Sequence, residues 1–116
     1  MPSKYAEMAA ELKSLEQEDV TLPVAEEEWY TRPDTVSYGV VSLDFEAGQL
    51  NGDGRKLDLS WEGSMDLYSL VKDGAGWIPL ITGTIEKYCG SCWSLNSHTY
   101  ERETGLFHWE WIFEVD

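Results

Sequence analysis

The chain has 116 residues, 42% of them hydrophobic with six tryptophans, enough for one small packed domain spanning 1–116 and too few for two. Eight basic against twenty-two acidic residues give a net charge of −14. That balance argues against binding a phosphate backbone, which needs a basic face, and against anionic membranes; it fits solubility, a basic partner, or a surface that repels DNA. No run approaches the ~18 apolar residues of a membrane helix, and Met1-Pro2-Ser3-Lys4 lacks the apolar stretch of a signal peptide, so a cytoplasmic start is expected.

In chain order, residues 3–15 predict a helix. Tyr5, Met8, Leu12 and Leu15 fall three and four apart, Ser3 is positioned to cap the N-terminus, and Ala6, Ala9 and Ala10 raise helix propensity. Residues 20–29 suggest a short strand on Val20, Leu22, Val24 and Trp29, with Pro23 placing it at an edge. Glu26-Glu27-Glu28 reads as its solvated flank, and Arg32-Pro33-Asp34 as a turn.

Residues 36–46 predict a second strand, with Val36, Tyr38 and Val40 on one side and Val41, Leu43 and Phe45 on the other. Residues 47–56 are glycine-rich and read as a long loop. Residues 57–70 give the third strand. There Leu57, Leu59, Trp61, Met65 and Leu67 alternate with Asp58, Ser60, Glu62, Ser64 and Asp66, the period-two pattern of one buried and one wet face.

Residues 77–89 predict a second helix. Ile78, Ile81, Ile85 and Tyr88 share a face, Pro79 sits in the first turn and Gly90 follows the end; Gly83 in its middle costs about 1 kcal/mol relative to alanine. Residues 92–100 and 106–115 predict a closing hairpin turning at Glu103-Thr104-Gly105. In its second strand Phe107, Trp109, Trp111, Phe113 and Val115 form one face. The expected fold is α+β, in the order α-β-β-β-α-β-β. It is a meander plus a hairpin, making a mostly antiparallel four- to five-stranded sheet with both helices on one face.

Few residues suggest chemistry. Cys89-Gly90-Ser91-Cys92 has CxxC spacing, but a redox CxxC opens a helix whose N-terminus stabilises the thiolate; here the motif closes a helix, so structural cysteines are expected. Adding His98 and His108 would complete a zinc set, yet Cys92 to His98 spans about 20 Å of strand, too far for convergence. Asn51-Gly52-Asp53-Gly54 lacks the alternating ligands and later glutamate of a calcium loop. No nucleophile elbow, Walker loop, dinucleotide fingerprint or HExxH motif is present. No catalytic, cofactor-binding or metal site is therefore assigned, and a non-enzymatic protein is expected.

The candidate functional features are surfaces. Glu62, Asp66, Glu110 and Glu114 form an acidic stripe if the third and fifth predicted strands are neighbours. Trp61, Trp109 and Trp111 are accounted for by core packing, whereas Trp29 and Trp77 sit at segment ends, either as interface aromatics or as lids over the core.

Three segments together resemble the small tail completion, or tail terminator, proteins of long-tailed bacteriophages and prophages. They are Tyr5 to Leu12 leading to Leu22-Pro23-Val24-Ala25, the strand Trp61 to Tyr68, and the hairpin from Trp93-Ser94-Leu95 through Tyr100-Glu101 and Glu103 to Glu114. The apolar segment Trp77 to Gly83 and the CxxC depart from that family's pattern. The resemblance implies a virion protein, made in the host cytoplasm, that caps the tail tube and joins it to the head connector. It would act as a ring, commonly of six subunits, with no cofactor and no direct nucleic-acid contact. An acidic lumen would let DNA slide. In this reading the 47–56 loop, with Gly48, Asn51, Asp53 and Arg55, joins Trp29 and Trp77 as candidate interface. The alternative is an acidic binding module or inhibitor, DNA-mimic-like, that engages a basic protein.

Overall fold

The computed structural model describes residues 3–29, 32–47 and 60–116. Its elements are helix α1 (Ser3–Leu12), strands β1 (Glu16–Gln17), β2 (Val20–Thr21), β3 (Val24–Glu26), β4 (Ser37–Ala47) and β5 (Ser60–Ser69), helix α2 (Trp77–Cys89), and strands β6 (Trp93–Glu101) and β7 (Leu106–Val115). A five-stranded sheet runs in the order β3-β4-β5-β7-β6, and β1 and β2 form a separate hairpin. The fold is thus α+β with a mostly antiparallel sheet. The order differs from expectation because the region 16–26 breaks into three short strands instead of one.

The break has a local cause. Glu18 and Asp19 both take left-handed backbone angles, φ 47° and 66°, the geometry of a two-residue hairpin turn. The chain reverses there, and Gln17 anchors the hairpin by donating from Nε2 to the Ala75 carbonyl at 3.0 Å. After Pro23 the chain runs parallel to β4, pairing Val24 with Gly39 and Glu26 with Val41. A meander would have made this pair antiparallel. Helix α1 also begins at Ser3 itself rather than after it, and it stops at Leu12. It closes in a turn where the Ser14 hydroxyl donates to the Glu11 carbonyl at 2.9 Å, drawing the chain out of the helix.

Both helices cover one face of the sheet. From α1, Tyr5, Met8, Ala9 and Leu12 are buried; from α2, Trp77, Ile81, Ile85 and Cys89. They pack on Val41, Met65, Leu67, Trp109, Trp111, Phe113 and Val115, the odd-numbered positions whose alternation marks the core face. Trp111 is fully buried and its indole N–H donates to the Thr82 hydroxyl at 3.1 Å, so the largest core side chain is also satisfied. Gly63 is the gap in that alternation. It lies between Leu43 and Phe113, and a Cβ there would come within 2.9 Å of the Phe113 ring. The helices are latched by Glu11, whose Oε1 accepts from the Lys87 ammonium and from the Tyr88 hydroxyl, the latter at 2.7 Å. Among the described residues no helix is long and apolar enough to cross a membrane.

Candidate functional site

The even-numbered positions of β5 and β7, and of β4 as far as Ser42, face away from the helices, and their register brings an aromatic column together. Tyr38 pairs with Tyr68 and Tyr68 with His108. Their rings stack, Tyr38 on Tyr68 at 5.1 Å and Tyr68 on His108 at 4.3 Å. Trp29 closes the outer end edge-on to Tyr38, with its indole N–H donated to the Gly39 carbonyl at 3.0 Å. The Arg32 guanidinium lies 5.9 Å from the Tyr38 ring centre. Trp29 is therefore a half-buried lid over this open face, not over the helix-covered core. Beside it runs a groove of about 390 Å³ whose walls include Glu28, Trp29, Arg32, Tyr38 and Asp66.

The inner end of the column is ionic. His108 Nε2 is 2.6 Å from Asp66 Oδ1, and its Nδ1 is 3.4 Å from Glu101 Oε2. The Asp66 hydrogen bond leads the effects that raise the His108 pKa above 6.5; burial opposes them, and the charges of Asp66, Glu101 and Glu110 assist. With both nitrogens facing carboxylates, this imidazole holds its proton more tightly than a free one. Burial, then Asp66, pushes the Tyr68 hydroxyl up to about 12, so Tyr68 stays neutral.

The expected acidic stripe is geometrically present. β5 and β7 are neighbours, and Glu62 lies directly opposite Glu114 while Asp66 lies opposite Glu110. Like charges directly opposed on a sheet are destabilising. His108 offsets the Asp66–Glu110 pair. Asp66 is thus an ion-pair partner within the fold and less free for an outside ligand than Glu62 and Glu114.

The other candidates separate. Trp77 is 5% exposed and part of the core, which removes it as an interface aromatic. It faces inward because it is the first residue of α2, on the same face as Ile81 and Ile85. Gly48, Asn51, Asp53 and Arg55 lie outside the described residues. Cys89 ends α2, buried with its thiol 3.9 Å from the Met8 sulfur; burial pushes its pKa up to about 12, which makes it a packing residue and a poor nucleophile. Cys92 is exposed. The two histidines occupy opposite faces. A shift in register between Leu95 and Ser97 sets His98 opposite Trp109, on whose ring it stacks at 4.9 Å on the helix side. Among the described residues no three His, Cys, Asp or Glu side chains are grouped to hold a metal.

The column and the His108 ion pairs were missed in the sequence because they depend on register across three strands. The available signal was that Tyr38, Tyr68 and His108 all sit on the non-core parity of their strands.

The sheet's two margins also differ. At one side β3 is three residues long, preceded by Pro23 and followed by Glu27 and Glu28, the usual guards of an edge. It covers β4 only from Gly39 to Val41. At the other side β6 runs nine residues, and Trp93 to Tyr100 contains no Lys, Arg, Asp, Glu or Pro in a chain that is 26% charged. Leu95 and Tyr100 on it are 43% and 53% exposed. Comparison with protein-family models, curated proteins and solved structures finds no match to this chain.

Proposed function

We propose that this protein is a non-enzymatic assembly component of the tail completion type, acting as a ring that caps a phage tail tube and joins it to the head. The observation that carries the reading is the open sheet face, where Glu62 opposes Glu114 and Asp66 opposes Glu110. Packing does not require that arrangement, and it costs stability at Glu62–Glu114, which His108 does not offset. A surface kept acidic at that cost suits a channel past which DNA slides without adhering. The resemblance of the helix, central strand and terminal hairpin to that family adds the partners, tail tube and head connector proteins, and a ring of about six.

The test is electron microscopy of the purified chain, alone and mixed with the tail tube protein of the virus that carries it. Rings, or tubes ending in a cap, support the reading. Bare tube ends and no rings contradict it. The acidic face also favours a second reading, an acidic module that engages a basic protein. Salt-sensitive binding to a DNA-binding protein, without rings or caps, would select that one.

A further inference from the structure

We propose that Cys89 and Cys92 form a dithiol–disulfide couple that takes a small-molecule disulfide as its oxidant and ties the end of α2 to the start of β6. The couple stands apart from the assembly reading above and does not rest on it.

Cys89 is the last residue of α2, and Cys92 is the residue before β6. Between them the chain makes a closed turn. The Cys92 N–H donates to the Cys89 carbonyl at 3.0 Å, and Gly90 has φ 62° and ψ −121°, the angles of the first central residue of a type II′ turn. Glycine takes those angles without strain. A β-turn holds its first and fourth Cα atoms within about 7 Å, the limit for bridging two cysteines without moving the backbone. Both sides of the turn are pinned. The Gly90 N–H donates to the Glu86 carbonyl of α2 at 2.9 Å, and the Glu114 N–H of β7 donates to the Cys92 carbonyl at 2.9 Å. Both cysteines are free, and both border one cleft of about 290 Å³.

Exposure divides the chemistry between them. Cys92 is exposed and Cys89 is buried. The Cys92 thiolate attacks one sulfur of the small disulfide, which forms a mixed disulfide and releases a first thiol. Cys89 then gives up its proton, and its sulfur attacks the Cys92 sulfur and releases the second thiol. The chain loses two hydrogens with their electrons, and the oxidant leaves as two thiols. Burial pushes the Cys89 pKa up to about 12, so closure is the slower step. A CxxC at a helix N-terminus has a stabilised thiolate and therefore an easily reduced disulfide. Here the motif lies at the C-terminus of α2, whose dipole disfavours an anion. The reduced form lacks that stabilisation, and the couple keeps its bond instead of passing it to other proteins.

The test incubates the folded protein with glutathione disulfide, traps remaining thiols with iodoacetamide and reads the mass of the whole chain. Circular dichroism verifies folding. Wild type is expected to pass through one glutathione adduct to a product two hydrogens lighter than the dithiol, with no thiol left to trap. Cys89→Ala should stop at the adduct. Cys92→Ser should form an adduct roughly tenfold more slowly than wild type, because only the buried thiol remains. The oxidised chain should also unfold at a higher urea midpoint than the dithiol chain, since a bond that the fold favours stabilises the fold in turn. Wild type that stays a dithiol, stops at the adduct or crosslinks between chains would overturn the proposal. So would a Cys92→Ser variant that reacts as fast as wild type, or an oxidised chain whose urea midpoint is no higher than that of the dithiol.

Discussion

The two faces of the sheet are built from the same strands and obey different rules. The helix side places Val41, Met65, Leu67, Trp109, Trp111, Phe113 and Val115 under two helices, and its contacts are apolar and non-directional. The open side places carboxylates opposite carboxylates and relies on one histidine and a row of stacked rings. Burial on the first face specifies the fold. The second face holds charge against its own repulsion. In the proposed reading, function lies on this face, which the core does not need.

Substitutions measure that contrast, and the largest effect belongs to the covered face. Trp111→Ala removes the largest fully buried side chain and leaves the Thr82 hydroxyl without its donor; a loss of about 4 kcal/mol in denaturant unfolding is expected. Gly63→Ala forces a methyl group against Phe113 and the β4 backbone, for a cost of about 2 kcal/mol. A loss as small for Trp111→Ala as for an open-face residue would erase the distinction.

On the open face, His108→Gln removes the cation held by Asp66 and Glu101, with an expected cost of about 2 kcal/mol at pH 6. The pH dependence has a defined sign. His108 has a folded pKa raised above 6.5, so its contribution is complete below 6.5 and is lost as pH rises through the raised value. Wild-type stability should therefore decline on the alkaline side of 6.5 more steeply than that of His108→Gln. Equal slopes would show that the ion pair contributes nothing.

The smallest effects carry the opposite sign. Glu62→Gln relieves the opposition to Glu114, which no ion pair among the described residues offsets, and should stabilise by about 0.5 kcal/mol. Tyr5→Phe should be neutral or slightly stabilising, because the Tyr5 hydroxyl is buried without a hydrogen-bond partner among the described residues and its removal deletes a desolvated group. If Glu62→Gln destabilised the protein, the open face would be part of the fold's own support and the functional argument from it would fail.

Much of this architecture was legible in the sequence because β5 and β7 alternate strictly and α2 keeps its apolar face. The helix runs through Gly83 all the same, because burial of Trp77, Ile81, Ile85 and Cys89 outweighs the propensity cost of one glycine. The segment 16–26 was not legible. Its hairpin turns on Glu18 and Asp19, which carry no glycine to announce a left-handed turn, and parallel pairing of β3 leaves no local mark. Trp77 was ambiguous because a residue at a helix start has no preceding turn to fix its face. The column of Tyr38, Tyr68 and His108 needed the register of β4, β5 and β7, which no single segment contains. The β6 edge was hidden for the same reason. Its uncharged run was visible, and its place at the margin was not.

The central claim, that the chain functions by assembling, is tested most directly by light scattering on a size-exclusion peak over a concentration series, with and without chelator. The account predicts a species several times the 13.2 kDa chain mass, closed at a fixed size and indifferent to chelator. A 13.2 kDa monomer at every concentration would contradict it.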